Sequence, residues 1–451
     1  MGQKIETLAK FVASTAWEDI PERVQRHAKL VLLDTLGVIL AGSVRPEVEQ
    51  LRQRLSTTAG TGATVYARRC PTHDPRTAAL LNAIAGRAIE LCEGLRLVSG
   101  QAAVQILPGL LAAGEHARLP GRDLMAALVL GYEVAGRLAT AFTPRPLAHQ
   151  NGQVSMLAAA AAGLRIHNGT ADEVSRAMRI STTLVLTPSY TNAVAGATTL
   201  NIAGAMSGFV GAFARDLVLA GFEAQADAVE EALGQLVGGG FDTSTLTVDL
   251  GKRWHITENY FRLYACCNPV HGALDCLRSI LKKLTPKPEE IERVDIATYR
   301  FASVMRNPDP PNFFASKYSL PHAAAVMIVK GNASHGAMDD ASLRDPAIGA
   351  LRHRIHITED ATMSAVAPRL RPSRVTVTLK DGRQMTEARE SHRGDFNEPF
   401  EESELREKFR ELAALALVPD GVATVEAAID RSSEWKSVQE LAEAMRRHMR
   451  H

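Results

Sequence analysis

The chain has 451 residues, with 51 Lys plus Arg against 50 Asp plus Glu, so its formal net charge is +1. That balance argues against a dedicated nucleic-acid binder, which carries a basic excess on one face, and against an anionic membrane surface as partner. With 46% hydrophobic and 22% charged residues the chain is not disordered, and five cysteines, an odd number, do not make a disulfide framework.

No apolar run reaches the ~18 residues that span a bilayer. Residues 30–42 are interrupted by Asp34, and residues 202–219 carry Arg215 and Asp216. The composition fits a cytoplasmic protein with reduced thiols, divided into two or three domains at ~150 residues each.

The first 260 or so residues read as helix. Pro21 and Glu22 open a helix over 21–41. Its apolar positions Val24, Leu30, Val31, Leu33, Leu36 and Ile39 cover most of the wheel, the pattern of a buried helix. Further helices are predicted over 77–91, 101–118, 123–142, 153–166, 171–180, 200–219 and 224–233. Thr170 with Asp172 and Glu173 gives the helix over 171–180 a start signal. Gly204, Gly208 and Gly211 share the helix over 200–219 with Ala205, Ser207 and Ala212. Glycine costs a helix about 1 kcal/mol per residue against Ala, so something approaches this backbone closely: either neighbouring helices or a ligand.

After residue 285 the texture changes. Residues 292–302 and 354–357 alternate with period two, and residues 374–380 and 383–390 flank Asp381-Gly382, a hairpin signal. A helix over 403–416 and one or two more close the chain. The fold class is therefore mainly α. A large all-α domain (1–265) precedes a smaller α+β lid (266–402), and C-terminal helices (403–451) return to the first domain. A cleft between two such units is a common place for a small-molecule site.

Several chemistries lack their motifs. G-x-G-x-x-G, the P-loop, Gly-x-Ser-x-Gly, H-E-x-x-H and cysteines at metal spacing are all absent. Three segments instead concentrate polar residues in apolar surroundings. His149 stands at a loop-to-helix junction, where an imidazole pKa is depressed. His271 follows Cys266-Cys267-Asn268-Pro269 in a first helical turn, with Asp275 four residues on. Lys317, Tyr318, Ser319 and His322 precede an apolar run. Each reads either as a site or as an ordinary loop, surface pair or cap.

These segments carry a resemblance. Leu33-Asp34-Thr35-Leu36-Gly37, Ala78-Ala79-Leu80-Leu81-Asn82, Val129-Leu130-Gly131-Tyr132-Glu133, the spacing Arg262…Cys267…His271…Asp275 and Ala315-x-Lys317-Tyr318-Ser319-Leu320-Pro321 occur in the order found in the MmgE/PrpD family. The chain resembles that family over nearly its whole length. The resemblance implies a helical domain with an α+β lid, a homodimer, and no metal or organic cofactor. It also implies a lyase or isomerase, of dehydratase or epimerase type, that works by acid–base chemistry next to a carboxylate of a small polycarboxylic acid.

Carried over residue by residue, His149 and His271 become the acid–base pair, facing one pocket. Arg262, in place of a lysine, and Lys317 bind carboxylates. Other positions depart. The family's histidine and Asp-x-Asp-Asp cluster is replaced by Arg87-Ala88-Ile89-Glu90-Leu91-Cys92-Glu93, so that Glu90 or Glu93 stands for the aspartate. Gln101 replaces the histidine of a His-Pro pair, the family lysine aligns near Thr199, and the family often has a tyrosine near His322; these three join the substrate-binding set, and Glu90 or Glu93 is the candidate for an additional base. Gln101 exchanges no proton near pH 7 and Thr199 carries no charge. The alternative reading is therefore a family member that has lost catalysis and serves as a binding or scaffold protein.

Overall fold

A computed structural model describes residues 2–55, 62–96 and 100–450. The fold is mainly α. The helices of the first half include Glu22–Ser43, Pro75–Arg87, Ala102–His116, Gly121–Ala141, Val154–Arg165 and Thr199–Leu219. Local chemistry sets several ends. Asp74 accepts from the backbone N–H groups of Arg76 and Thr77, ahead of Pro75 at the first position. Thr170 and Glu173 close a capping box.

The helix predicted over 77–91 stops at Arg87, because Glu90 has a left-handed backbone (φ 51°) that ends the turn. The segment predicted as a helix over 224–233 is a short α-turn, Ala228–Glu231, continued by a π-turn. Three two-stranded pairs also interrupt the helical half. One of them, Gly94–Leu95 with Asn259–Tyr260, matters for the site. A Cβ at Gly94 would stand 2.2 Å from the Tyr260 hydroxyl, so only glycine lets the two segments meet.

The glycines of Thr199–Leu219 serve helix packing. Gly211 lies against Ala159, and a Cβ at Gly163 would stand 2.0 Å from the Gly211 carbonyl oxygen. Length and hydropathy alone would let two helices, Gly121–Ala141 and Thr199–Leu219, cross a membrane, which differs from the expectation that no run suffices. The charges that interrupt the first are tolerated because Glu133 and Arg137 pair with each other, and 94% of its apolar window is buried inside the protein. Half of the second window is buried.

The four-stranded sheet occupies residues 291–389, in the order Gln384–Arg389, Ser373–Leu379, Ile291–Thr298, Ile355–Glu359. Its pairs are antiparallel except Ile291–Thr298 with Ile355–Glu359, which run parallel. The strand expected over 292–302 ends at Thr298, and Arg300–Ser303 is helical. Val375, Val377 and Leu379 point inward by the two-residue period, and the helix His271–Leu284 packs on that face.

The hydrophobic core falls into two large clusters. One joins the N-terminal helices to Leu405, Phe409, Leu441 and Met445 of the C-terminal helices, and the other gathers residues within 265–379 with Val38, Ile89, Leu91, Val104, Tyr190 and Leu412. The helix Glu402–Ala413 is tied to Glu22–Ser43 by a buried ion pair, Lys408 Nζ to Asp34 Oδ1 at 2.5 Å. Lys408 also donates to the Leu91 carbonyl at 2.8 Å, which anchors the segment between Arg87 and Gly94 from below.

Candidate functional site

A cavity of about 910 Å³ opens where the Glu90 segment, the His149 loop, the Cys267–Pro269 turn and the edge of the sheet meet. Glu90, Gln101 and His149 are on its wall, together with Tyr190, Tyr260, Cys267, Asn268, Tyr299, Phe301, Tyr318 and Arg371. Four of the chain's seven tyrosines line this one cavity.

His149 is held by its loop. Its N–H donates to the Pro188 carbonyl at 2.9 Å, and Gly152, at φ 77°, lets the chain turn into the helix Val154–Arg165. The Asn151 N–H donates to His149 Nδ1 at 3.2 Å, so the neutral ring carries its proton on Nε2. The imidazole stacks on Tyr190, with centroids 5.5 Å apart. Burial and then the Arg87 guanidinium push its pKa down to about 3, opposed by Glu90.

Glu90 sits between two buried arginines. Arg87 donates to Oε2 at 2.8 Å and Arg262 to Oε1 at 2.7 Å, and both guanidiniums also donate to the Cys92 thiol. Burial raises the Glu90 pKa, but the two cations overcome it and hold the carboxyl at about 2. Arg262 therefore clamps Glu90 and does not itself line the cavity. Glu93 lies outside the wall. Tyr132, Asn259 and the Ala103 N–H donate to it, yet burial pushes its pKa up to about 7.

The remaining residues of the expected set are elsewhere. His271 is fully buried, donates Nε2–H to the Cys266 carbonyl at 3.1 Å, and is not among the lining residues. Asp275 does not meet it. That carboxylate accepts from the Tyr264 hydroxyl and the Arg393 N–H, both at 2.8 Å. Lys317 is buried, donates to the Met338 carbonyl at 2.6 Å and lies over the Phe313 ring. Burial lowers its pKa to about 7. His322 meets the Ser342 hydroxyl at 3.2 Å. Thr199 is exposed, and Thr191 and Val194 of the preceding turn reach the cavity in its place. The structure thus brings His149, Glu90, Gln101 and, through Glu90, Arg262 together. It places His271, Lys317, His322 and Thr199 outside the wall.

Sequence reasoning missed Tyr190, Tyr299 and Arg371 as lining residues. Arg371 is half-buried, with its guanidinium held by the Asn268 side chain and by the Arg96 carbonyl at 3.1 Å. The hydroxyls of Tyr299 and Tyr318 and the Gln101 Oε1 are buried at the wall without a hydrogen-bond partner. Only the concentration of scarce tyrosines gives a compositional signal, and it becomes visible once the chain is folded. Among the described residues, no three His, Cys, Asp or Glu side chains stand close enough to share a metal ion. Chemically, the wall offers a fixed-tautomer imidazole, three orphaned polar groups and a cation, beside a carboxylate locked in its ionised form.

Comparison with known proteins adds a frame to this geometry. The model of the MmgE/PrpD N-terminal domain matches residues 6–241, and that of the MmgE/PrpD C-terminal domain matches residues 264–434. The chain is 24% identical to the cis-aconitate decarboxylase-like protein oryM of Aspergillus oryzae, over 98% of this chain and 96% of that protein. Cis-aconitate decarboxylase of Aspergillus terreus is 23% identical, over 96% of this chain and 94% of its own length. The Homo sapiens cis-aconitate decarboxylase is 24% identical, over 93% and 90%. The chain belongs to the MmgE/PrpD family.

Proposed function

We propose that this protein is a cofactor-independent lyase, which removes a small group next to a carboxylate of a small carboxylic acid in the cavity described above. The observation that carries the reading is His149: a buried imidazole of fixed tautomer that presents Nε2–H beside the Arg87–Glu90–Arg262 cluster. The cis-aconitate decarboxylases at 22–24% identity support the same class of reaction.

Such a reaction moves one proton on or off carbon while a bond next to the carboxylate breaks. In the empty site His149 is neutral and acts as a hydrogen-bond donor. A bound carboxylate offsets the Arg87 charge and favours uptake of a solvent proton at Nδ1, where the ring gives up its 3.2 Å contact with the Asn151 N–H. As the carbon–carbon bond to a departing carboxylate breaks and carbon dioxide leaves, the imidazolium gives its Nε2 proton to that carbon. Arg371 receives the carboxylate that stays. Glu90, held ionised, keeps the two buried arginines from repelling an incoming proton. Residues 266–402 serve as the lid, and a pair of copies forms the working unit. Exposed Ile202, Leu219 and Phe222 on and just after the glycine-rich helix support that pairing, and light scattering on the purified protein tests it.

One observation favours the second reading, a binding protein without turnover. The titratable wall groups His149 and Glu90 sit at about 3 and about 2, while Lys317 and Glu93, each near 7, lie outside the wall. Steady-state assays of unsaturated-acid formation from 2-methylcitrate and of carbon dioxide release from cis-aconitate test the choice. The lyase reading expects turnover of an acid of this class that His149→Ala lowers by about 10²–10⁴-fold, with 2-methylcitrate a poor substrate because Gln101 on the wall exchanges no proton near pH 7. Turnover untouched by His149→Ala would reject the assignment.

A further inference from the structure

We propose that the cavity selects an acid with one anchored carboxylate and an apolar arm, aryl or branched alkyl, rather than a compact polycarboxylate. This rests on the reading of the cavity as the substrate site and names the class of acid it takes.

The charges on the wall can be accounted for one by one. Glu90 is matched by Arg87 and Arg262. Arg300 is exposed and pairs with Glu359 at 3.2 Å, and Arg145, also exposed, donates to the Gln235 carbonyl at 3.0 Å. Arg371 remains. It is half-buried, its hydrogen bonds go to neutral oxygens, and no carboxylate among the described residues lies at ion-pair distance from it. Of the arginines that line the cavity, Arg145 and Arg300 are exposed to solvent and Arg371 alone is half-buried, so Arg371 anchors one carboxylate. The surplus charge of Arg87 and Arg262 over Glu90 lies behind the wall, so a second or third carboxylate would leave water without a half-buried lining cation to meet it.

The hydroxyls of Tyr299 and Tyr318 sharpen this anchor. Both are buried, both lack a partner, and both line the same wall as Tyr190 and Cys267. Buried donors are satisfied in nearly all folded proteins. Two phenols left over at one cavity therefore point to ligand oxygen atoms as their acceptors.

The rest of the cavity is apolar. Tyr190 and Phe301 lie with ring centroids 4.7 Å apart, and Val194 continues that surface. Two lining residues at the mouth, Leu147 and Val304, are 72% and 46% exposed. An apolar rim that opens to water gains by covering itself with an apolar group. The volume, about 910 Å³, is near the upper end of small-molecule sites, so it holds far more than the carbon frame of a six- or seven-carbon acid.

The test is binding, measured by titration calorimetry on the 451-residue protein with two saturated acids that differ in charge and in apolar arm. One is 3-phenylpropanoate, with one carboxylate and an aryl arm; the other is tricarballylate, with three carboxylates and no arm. The proposal expects 3-phenylpropanoate to bind at least tenfold tighter. Tyr318→Phe and Tyr299→Phe should each weaken it by about tenfold, the range for a hydrogen bond to a charged group. Neither should lower the melting temperature of the ligand-free protein, because the hydroxyls hold nothing within it. Tighter binding of tricarballylate, or tyrosine variants with unchanged affinity, would overturn the proposal. Selective binding of the aryl acid without turnover of any acid would uphold this inference and reject the lyase. Turnover confined to tricarboxylates, with no affinity for the aryl acid, would do the reverse.

Discussion

Replacing Glu90 by Gln removes the only carboxylate among the described residues that contacts the Arg87 and Arg262 guanidiniums, all three groups being buried. Gln keeps the size and the left-handed backbone, so the change is electrostatic. A carboxyl held at about 2 instead of its ordinary 4.5 contributes about 3 kcal/mol at neutral pH. Breaking a buried pair costs roughly 3–5 kcal/mol by an independent route. Because the folded pKa is depressed, this contribution is complete above about pH 4.5 and is lost as pH falls through about 2. At pH 3 linkage leaves about 1.5 kcal/mol. Urea unfolding followed by circular dichroism should therefore show Glu90→Gln destabilised by about 3 kcal/mol at pH 7 and by about half of that at pH 3. Adding Arg262→Met should restore part of the loss by removing one uncompensated cation. A Glu90→Gln variant within about 0.5 kcal/mol of wild type at pH 7, or equally destabilised at both pH values, would refute the reasoning.

The remaining predictions concern pH and packing. His149 and His322 are depressed to about 3 and His392 to about 4, each mainly by burial, so folding keeps them neutral and stability is lost as pH falls below 6.5. Glu93, raised to about 7, works in the opposite direction between 7 and 4.5, and the three histidines outweigh it. A urea midpoint that stays level from pH 7.5 to 5 would contradict this. Nitrogen NMR at pH 7 should find the His149 ring neutral with its proton on Nε2; a doubly protonated ring would show that the burial argument fails. Gly163→Ala should cost about 1–3 kcal/mol or more, because its Cβ meets a backbone oxygen at 2.0 Å, whereas Gly240→Ala, with nothing nearer than 3.6 Å, should change the melting temperature little. Lys408→Met should destabilise by roughly 3–5 kcal/mol, since Asp34 is left buried without its partner; thermal unfolding at pH 7 reads this directly.

The sequence is most legible where one face of an element does one job. The helices over 153–166, 171–180 and 200–219 are found within a residue or two because small apolar residues dominate the first and third and a Thr170–Glu173 capping box starts the second. The early stop at Arg87 is invisible, since glutamate gives no warning of a left-handed backbone. The site follows the same rule. His149 stands out because a polar residue at a loop-to-helix junction is a local signal. His271, Lys317 and His322 give a similar signal for a different reason: they are polar groups buried in apolar segments, each meeting a nearby partner, Cys266, Met338 or Ser342. Arg371 and Tyr299 reach the cavity only through contacts between segments far apart in sequence, such as Arg371 with Arg96 and Asn268. Until those segments meet, an arginine before a strand looks like any surface arginine.

The central claim is that the His149 cavity performs lyase chemistry on a small carboxylic acid. Proton NMR in deuterium oxide tests it most directly. The purified wild type and His149→Ala are incubated in parallel with a panel of mono-, di- and tricarboxylic acids, half of them bearing an apolar arm. The account predicts that the wild type converts an arm-bearing acid to a product that has lost water or carbon dioxide, with deuterium taken up where a proton is delivered to carbon, and that His149→Ala does so at least a hundredfold more slowly. Unchanged spectra for every acid, or equal conversion by both proteins, would contradict it.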